Sequence, residues 1–279
     1  MKNVFSPTLK IKHADWPFIL QLLIAFAILI SLSNYFLEGF ILNSVLLLLT
    51  IFFVTLAIVH HYRLQREELE YSHYKIQAIG EIQKLLSFRA PLSPMIGWAA
   101  TPELAVSVLK EVIRKKPSTI VELGSGVTTI INGYALEKYN PAGRLISIDH
   151  DENFAAKTQK EVDLHGLNEF TEIRTSPMES IDVGGKTHQW YSPSTLQFDN
   201  KIDLLIVDGP PVKTEKHARY PALPMLYEHL SEICSIIIHD TKRVPESTII
   251  SHWLDEFPEF EQEVINTDKG VTILRRGEV

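Results

Sequence analysis

Two stretches without a charged residue dominate the start of the chain. Residues 16–36 and 40–59 are each about 20 residues long, the length an α-helix needs to cross a hydrocarbon core of roughly 30 Å. Only Leu37, Glu38 and Gly39 separate them, so the pattern predicts a two-helix transmembrane hairpin. Residues 62–88 are then highly charged and helix-favouring, with Ile76, Ile79, Ile82 and Leu86 as one apolar stripe at helical spacing. Residues 89–94, RAPLSP, break that helix. Downstream, short apolar runs alternate with amphipathic segments. Strands are predicted at 120–123, 144–150, 170–175, 202–207 and 233–240, and helices between them from Thr101, Thr128, Glu152, Pro221 and Ser247. Residues 260–266 and 271–274 flank Thr267-Asp268-Lys269-Gly270 as a terminal antiparallel hairpin. Residues 187–199, polar and rich in aromatics, read as an excursion over the surface.

This alternation is that of an α/β fold with a seven-stranded, mostly parallel sheet. The chain divides into an N-terminal membrane anchor over 1–61, a helical stalk or linker over 62–94 and a globular domain over 95–279. Lys2, Lys10 and Lys12 precede the first span, Arg63 and Arg66 follow the second, and the turn carries only Glu38. The positive-inside tendency then predicts a two-pass protein with both termini and the globular domain in the cytoplasm. Trp16 and Tyr62 stand where interfacial aromatics belong. A cleaved secretory signal is disfavoured by the length of the first run and by the second span that follows at once. His60 and His61 read as interfacial polar residues rather than metal ligands.

Composition narrows the function. A net charge of −7 and a pI near 5.9 argue against a dedicated nucleic-acid binder. The single cysteine, Cys234, excludes disulfides within the chain and multi-cysteine metal sites.

Candidate chemistry collects at the ends of the predicted strands. In residues 118–129, STIVELGSGVTT, a β-branched run ends at Glu122 and is followed by Gly124, Ser125 and Gly126, with Thr128 opening a helix. Glycines let backbone N–H groups approach a ligand. A dinucleotide turn, G-x-G-x-x-G, would need glycine where Thr129 stands. A carboxylate just before the first glycine suits a cationic ligand instead. Asp149 ends the next strand, placed to accept hydrogen bonds from a ribose diol, with a helix cap as the alternative. Asp208 emerges from the apolar run IDLLIVDGPP, and His239 and Asp240 end ICSIIIHD. The loop 212–220, with Lys213, Lys216, His217, Arg219 and Tyr220, is a candidate clamp for an anionic substrate.

The segment E-L-G-S-G-V-T resembles motif I of the class I S-adenosylmethionine-dependent methyltransferases, with Thr128 in place of a third glycine. W-A-A-T-P, I-D-L-L-I-V-D-G-P-P, R-Y-P-A-L-P and I-I-I-H-D resemble a bacterial-type subgroup of that family, and the likeness covers 98–276. It implies a Rossmann-like sheet ending in a reversed strand. It further implies that Glu122, Gly124, Ser125, Gly126 and Thr128 hold the methionine end of S-adenosylmethionine, that Asp149 binds the ribose and that Met178 borders the adenine. Asp208, His239 and Asp240 become the catalytic candidates. In catechol O-methyltransferase-like members Mg²⁺ is held by acids after the fourth and fifth strands. Asp208 and Asp240 match two of those positions and Thr241 does not match the third, which leaves metal dependence open. Tethering points to O-methylation of a small-molecule, glycan or lipid-linked acceptor at the membrane. A catalytically silent scaffold and an NAD or nucleotide-sugar enzyme are the competing readings.

Overall fold

The computed structural model describes residues 21, 24–32, 40–95, 97 and 99–277. The lysines before the first span, Trp16, the turn 37–39 and Trp98 lie outside the described residues, and of the first span only 21 and 24–32 lie within them, as helix. The chain forms two compact units, Met1–Ser72 and His73–Val279.

Helix α1 is Phe40–Leu85. Among the described residues, one helix is long and apolar enough to cross a membrane, Asn43–Leu85, and none of its most apolar window is buried. Leu48, Phe53 and Ile58 are each more than 60% exposed.

The second unit contains the α/β sheet. Helices α2 (Pro102–Lys115), α3 (Val127–Tyr139), α4 (Glu152–Leu164), α5 (Ala222–Leu226) and α6 (Val244–Glu256) alternate with strands β1 (Thr119–Leu123), β2 (Arg144–Asp149), β3 (Thr171–Thr175), β4 (Met178–Val183), β5 (Lys186–Tyr191), β6 (Ile202–Val207), β7 (Leu230–His239), β8 (Glu261–Ile265) and β9 (Val271–Arg276). The main sheet runs β3-β2-β1-β6-β7-β9-β8. β3, β2, β1, β6 and β7 pair in parallel in that order and β9 lies antiparallel between β7 and β8, as the terminal hairpin predicts. The order reverses between β1 and β6, which makes that crevice the topological switch point where open sheets bind ligands.

Both faces of the sheet are covered, which explains the continuous apolar runs. Alternate residues go to opposite layers: Ile120, Leu204, Ile206 and Ile237 join one cluster, and Val121, Leu205, Val207 and Ile236 the other. Glu122 therefore points into the layer of α3, among apolar neighbours. The last turns of α1 pack on that same layer. Their buried face is Ala78 and Ile82, continued by Leu86 just past the helix end, while Ile76 is 65% and Ile79 40% exposed. The predicted stripe is thus corrected by a shift around the helix, because i, i+4, i+8 spacing from Ala78 faces the core.

A second correction concerns residues 178–191. They form a two-stranded antiparallel hairpin, β4–β5, turning at Gly184 and Gly185, both at positive φ. Of residues 187–199, expected as an excursion over the surface, His188, Trp190, Tyr191, Ser192 and Leu196 are buried, while Thr187, Gln189, Pro193, Ser194, Gln197 and Asp199 are exposed, so the segment contributes to the core at alternate positions.

Replacing Ile82 by alanine should lower the stability of the unit by about 2–5 kcal/mol in denaturant titrations, the usual consequence of a buried Ile-to-Ala cavity. An unchanged midpoint would show that the end of α1 does not belong to this core.

Candidate functional site

The strand ends at the switch point deliver their polar groups to one place. Gly124 holds φ at +98°, and a Cβ there would meet Gly209 N at 3.1 Å and the Asp208 carbonyl carbon at 3.2 Å. Glycine alone lets this turn lie against the end of β6, where Asp208 N–H donates to Leu123 O at 3.0 Å. A Cβ on Gly126 would meet nothing within 4 Å, so the turn opens outward at the start of α3.

Glu122 locks this turn from beneath. Its Oε2 accepts hydrogen bonds from Thr129 Oγ1 at 2.5 Å and Ser147 Oγ at 2.7 Å, and Thr129 Oγ1 in turn accepts from Gly126 N–H at 2.9 Å. Thr129, which stands where a dinucleotide turn would need its last glycine, thereby ties acid, loop and helix together. Thr128 is buried beside it in the first turn of α3. Glu122 is fully buried and its Oε1 makes no hydrogen bond among the described residues. Burial pushes its carboxyl up to about 7, against the opposing pull of the Thr128, Thr129 and Ser147 hydroxyls.

Asp149 is solvated by the protein itself. Oδ2 accepts from Ser125 N–H at 2.9 Å and Ser125 Oγ at 2.8 Å, and Oδ1 from Asp151 N–H at 3.0 Å, with His150 Nδ1 at 3.4 Å. Burial alone would raise its carboxyl, but these donors outweigh it and hold it below the ordinary value. The capping role falls to Asp151, whose Oδ1 accepts from Asn153 N–H and Phe154 N–H at the start of α4. Asp149 is thus free of the cap but already bonded on both oxygens. Met178 opens β4 and packs, half-buried, against the second core layer.

At the ends of β6 and β7 a charged network forms. His239 Nδ1 lies 2.9 Å from Asp208 Oδ1, and His239 Nε2 lies 3.4 Å from Thr101 Oγ1, the cap of α2. Burial works to raise the Asp208 carboxyl, yet His239 and Arg219 beside it pull it below its usual range. Asp240 sits in the left-handed region at φ 63° and accepts from Arg219 Nη2 at 3.1 Å and Arg243 Nη1 at 2.9 Å. Arg219 reaches further, to Asp208 O at 2.8 Å, Asp208 Oδ1 at 3.3 Å and His239 O at 2.8 Å.

Three residues escaped the sequence reading. Thr101 was legible only as a cap, and Arg219 only as one member of a basic loop. Tyr191, fully buried, carries a hydroxyl without a partner among the described residues. Burial and the charges of Asp149, Asp208 and Glu122 raise its phenol well above the usual value, with Arg219 opposing them, and a Cβ on Gly209 would strike its Oη.

A cavity of about 950 Å³ adjoins this network at Thr101. Ile79, Ile82, Phe88, Leu92, Met95 and Pro102 give it an apolar wall, and Lys269 stands at its rim.

Residues 121–241 match the family model described as a methyltransferase domain, a span that holds all the strand ends just described. The structure is similar to that of the S-adenosylhomocysteine-bound methyltransferase PaMTH1 from Podospora anserina, with a TM-score of 0.51 at 12% identity over 73% of this chain and 88% of that one. It is similar also to cofactor-bound Rv0187 from MTB, with a TM-score of 0.50 at 13% identity over 73% and 89%. The fold is that of the class I methyltransferases. No curated protein sequence matches the chain.

Three acids converge on the glycine turn, and one of them keeps an unused buried oxygen. The two acids held ionised, Asp149 and Asp208, favour a cationic ligand such as a sulfonium or ammonium over a pyrophosphate.

The Glu122 shift has a pH signature. Its folded carboxyl titrates near 7, above the unfolded value, so the stability it allows below pH 4.5 is lost progressively as pH rises to about 7. Glu122→Gln should therefore match the wild-type melting temperature at acid pH and exceed it by several degrees at pH 8, in the absence of ligand. Parallel pH profiles for the two proteins would show that Glu122 is not held neutral.

Proposed function

We propose that the chain is an S-adenosylmethionine-dependent O-methyltransferase, anchored by an N-terminal two-pass hairpin with its catalytic unit in the cytoplasm. The convergence of Asp149 and Asp208 on an open glycine turn, with Glu122 buried beneath it, carries this reading, since the turn allows close backbone approach and the two ionised acids favour a cationic cofactor. Gly124, Ser125, Gly126 and Thr128 would frame the methionine end, Asp149 the ribose and Met178 the adenine.

When bound, S-adenosylmethionine supplies a methyl group on a cationic sulfur, which departs with the C–S electron pair as an acceptor oxygen bonds to the methyl carbon. The chain's own work is alignment, exclusion of water and removal of one proton. Asp208, held ionised, accepts from His239 Nδ1–H and so fixes the tautomer that turns the Nε2 lone pair toward Thr101 Oγ1, 3.4 Å away. His239 Nε2 takes the acceptor's hydroxyl proton. The apolar cavity beside Thr101 supports an acceptor with a substantial apolar part, and the exposed apolar length of α1 supports one that resides in a membrane, such as a lipid-linked glycan.

Calorimetry on the whole chain in detergent should show S-adenosylhomocysteine binding and no NAD binding. With methyl-labelled cofactor and a total lipid extract, label should enter the organic phase, and His239→Ala should slow this by about 10²–10⁴-fold, the usual worth of a general base. Binding of neither cofactor would leave only a scaffold role. The anchor predicts that the protein resists carbonate extraction from membranes and that a carboxyl-terminal reporter is cytoplasmic; release by carbonate would refute it.

A further inference from the structure

Asp208, His239 and Asp240 bring potential ligand atoms within 4.8 Å of one another, a donor set of the type a divalent cation uses. Arg219 already occupies the electrostatic centre of that set. Its side chain is 4% exposed, and Nη2 bonds a carboxylate oxygen of both Asp208 and Asp240. Nη1 and Nη2 also bond the backbone carbonyls of His239 and Asp208, which fixes the guanidinium plane across the ends of β6 and β7. Arg243 adds a second cation to Asp240, and His239 Nδ1 uses the Asp208 oxygen nearest to it. Two carboxylates thus face two guanidiniums. Asp240 Oδ1 is buried without a hydrogen-bond partner among the described residues, but an ion bound there would lie against the Arg219 and Arg243 guanidiniums that already pair with Asp240.

We infer that Arg219 is the resident cation of this cluster, standing where a divalent metal would otherwise sit, and that it positions the Asp208–His239 pair without any metal. An ion placed among these acids would meet a guanidinium that no accessible pH discharges. The charge assignment rests on this geometry alone, and its meaning for turnover rests on the methyltransferase reading. Arg219 is a positioning residue: it contacts the acid and the backbone of the base, and through them sets where His239 Nε2 points.

The test is Mn²⁺ titration of the EDTA-treated whole chain, followed by water-proton relaxation, with S-adenosylhomocysteine calorimetry on the same samples. Wild type should bind no Mn²⁺ at this cluster up to about 1 mM, the weak end of biological oxygen-ligand sites. Arg219→Ala should gain a Mn²⁺ site tighter by roughly tenfold or more, because two buried carboxylates lose their counter-charge. That gained site should vanish when Asp240→Asn is added. Arg219→Lys, which keeps the charge, should stay silent. If Arg219→Ala does not fold, Arg219→Gln, which keeps a planar donor without charge, carries the same expectation. Tight Mn²⁺ binding by wild type that Asp208→Asn or Asp240→Asn abolishes would overturn the inference. A folded, uncharged Arg219 variant that gains no ion would overturn it equally. Loss of S-adenosylhomocysteine binding by wild type would instead sink the methyltransferase reading and leave the charge assignment standing.

Discussion

Three carboxylates delivered by neighbouring strands to one sheet edge are the constraint around which this unit is built. Like charges crowded at the mouth of an apolar core are unfavourable unless each is neutralised. The chain solves the problem differently at each strand. Glu122 is buried until its carboxyl titrates near neutrality and is supported by hydroxyls. Asp149 remains ionised, held by backbone and serine donors of the same loop that it helps to shape. Asp208 remains ionised beside a histidine and an arginine. Each neutralising partner is also a geometric tie: Thr129 pins the glycine turn, Ser125 joins that turn to β2, and Arg219 joins β6 to β7. Electrostatic relief and preorganisation are therefore one set of contacts.

Much of this was legible in the sequence, for stated reasons. β-branched runs such as IDLLIV and SIIIH must be buried on both faces, and they became the central strands. The acids that end those runs could only emerge at the carboxyl edge. Gly270 and the alternation around it announced the reversed terminal strand, which sits antiparallel to β7 as expected. The chemistry of the switch point follows from where these runs stop rather than from any single motif.

Other features depend on contacts that no local pattern encodes. In β5, Thr187 and Gln189 are exposed while His188 and Trp190 are buried, but the alternation is short and polar, so it reads as loop. Arg219 shares its loop with Lys213 and Lys216, both exposed, and nothing in composition shows that it alone turns inward. Its partners lie 11 and 21 residues away in sequence, and only the β6–β7 pairing brings them to it. Asp149 was legible as a strand-end acid, whereas its saturation by Ser125 and Asp151 was not. Within α1, helical spacing was correct but the buried face was set by the core it meets.

The claim that the glycine turn between β1 and α3 is the cofactor's seat is tested most directly by hydrogen exchange on the whole chain with and without S-adenosylhomocysteine. The account predicts protection that centres on amides 123–127, extends to 149–151 and 208–209, and leaves β8 and the β4–β5 turn unchanged. Binding without protection of 123–127, or protection centred elsewhere in the unit, would contradict it.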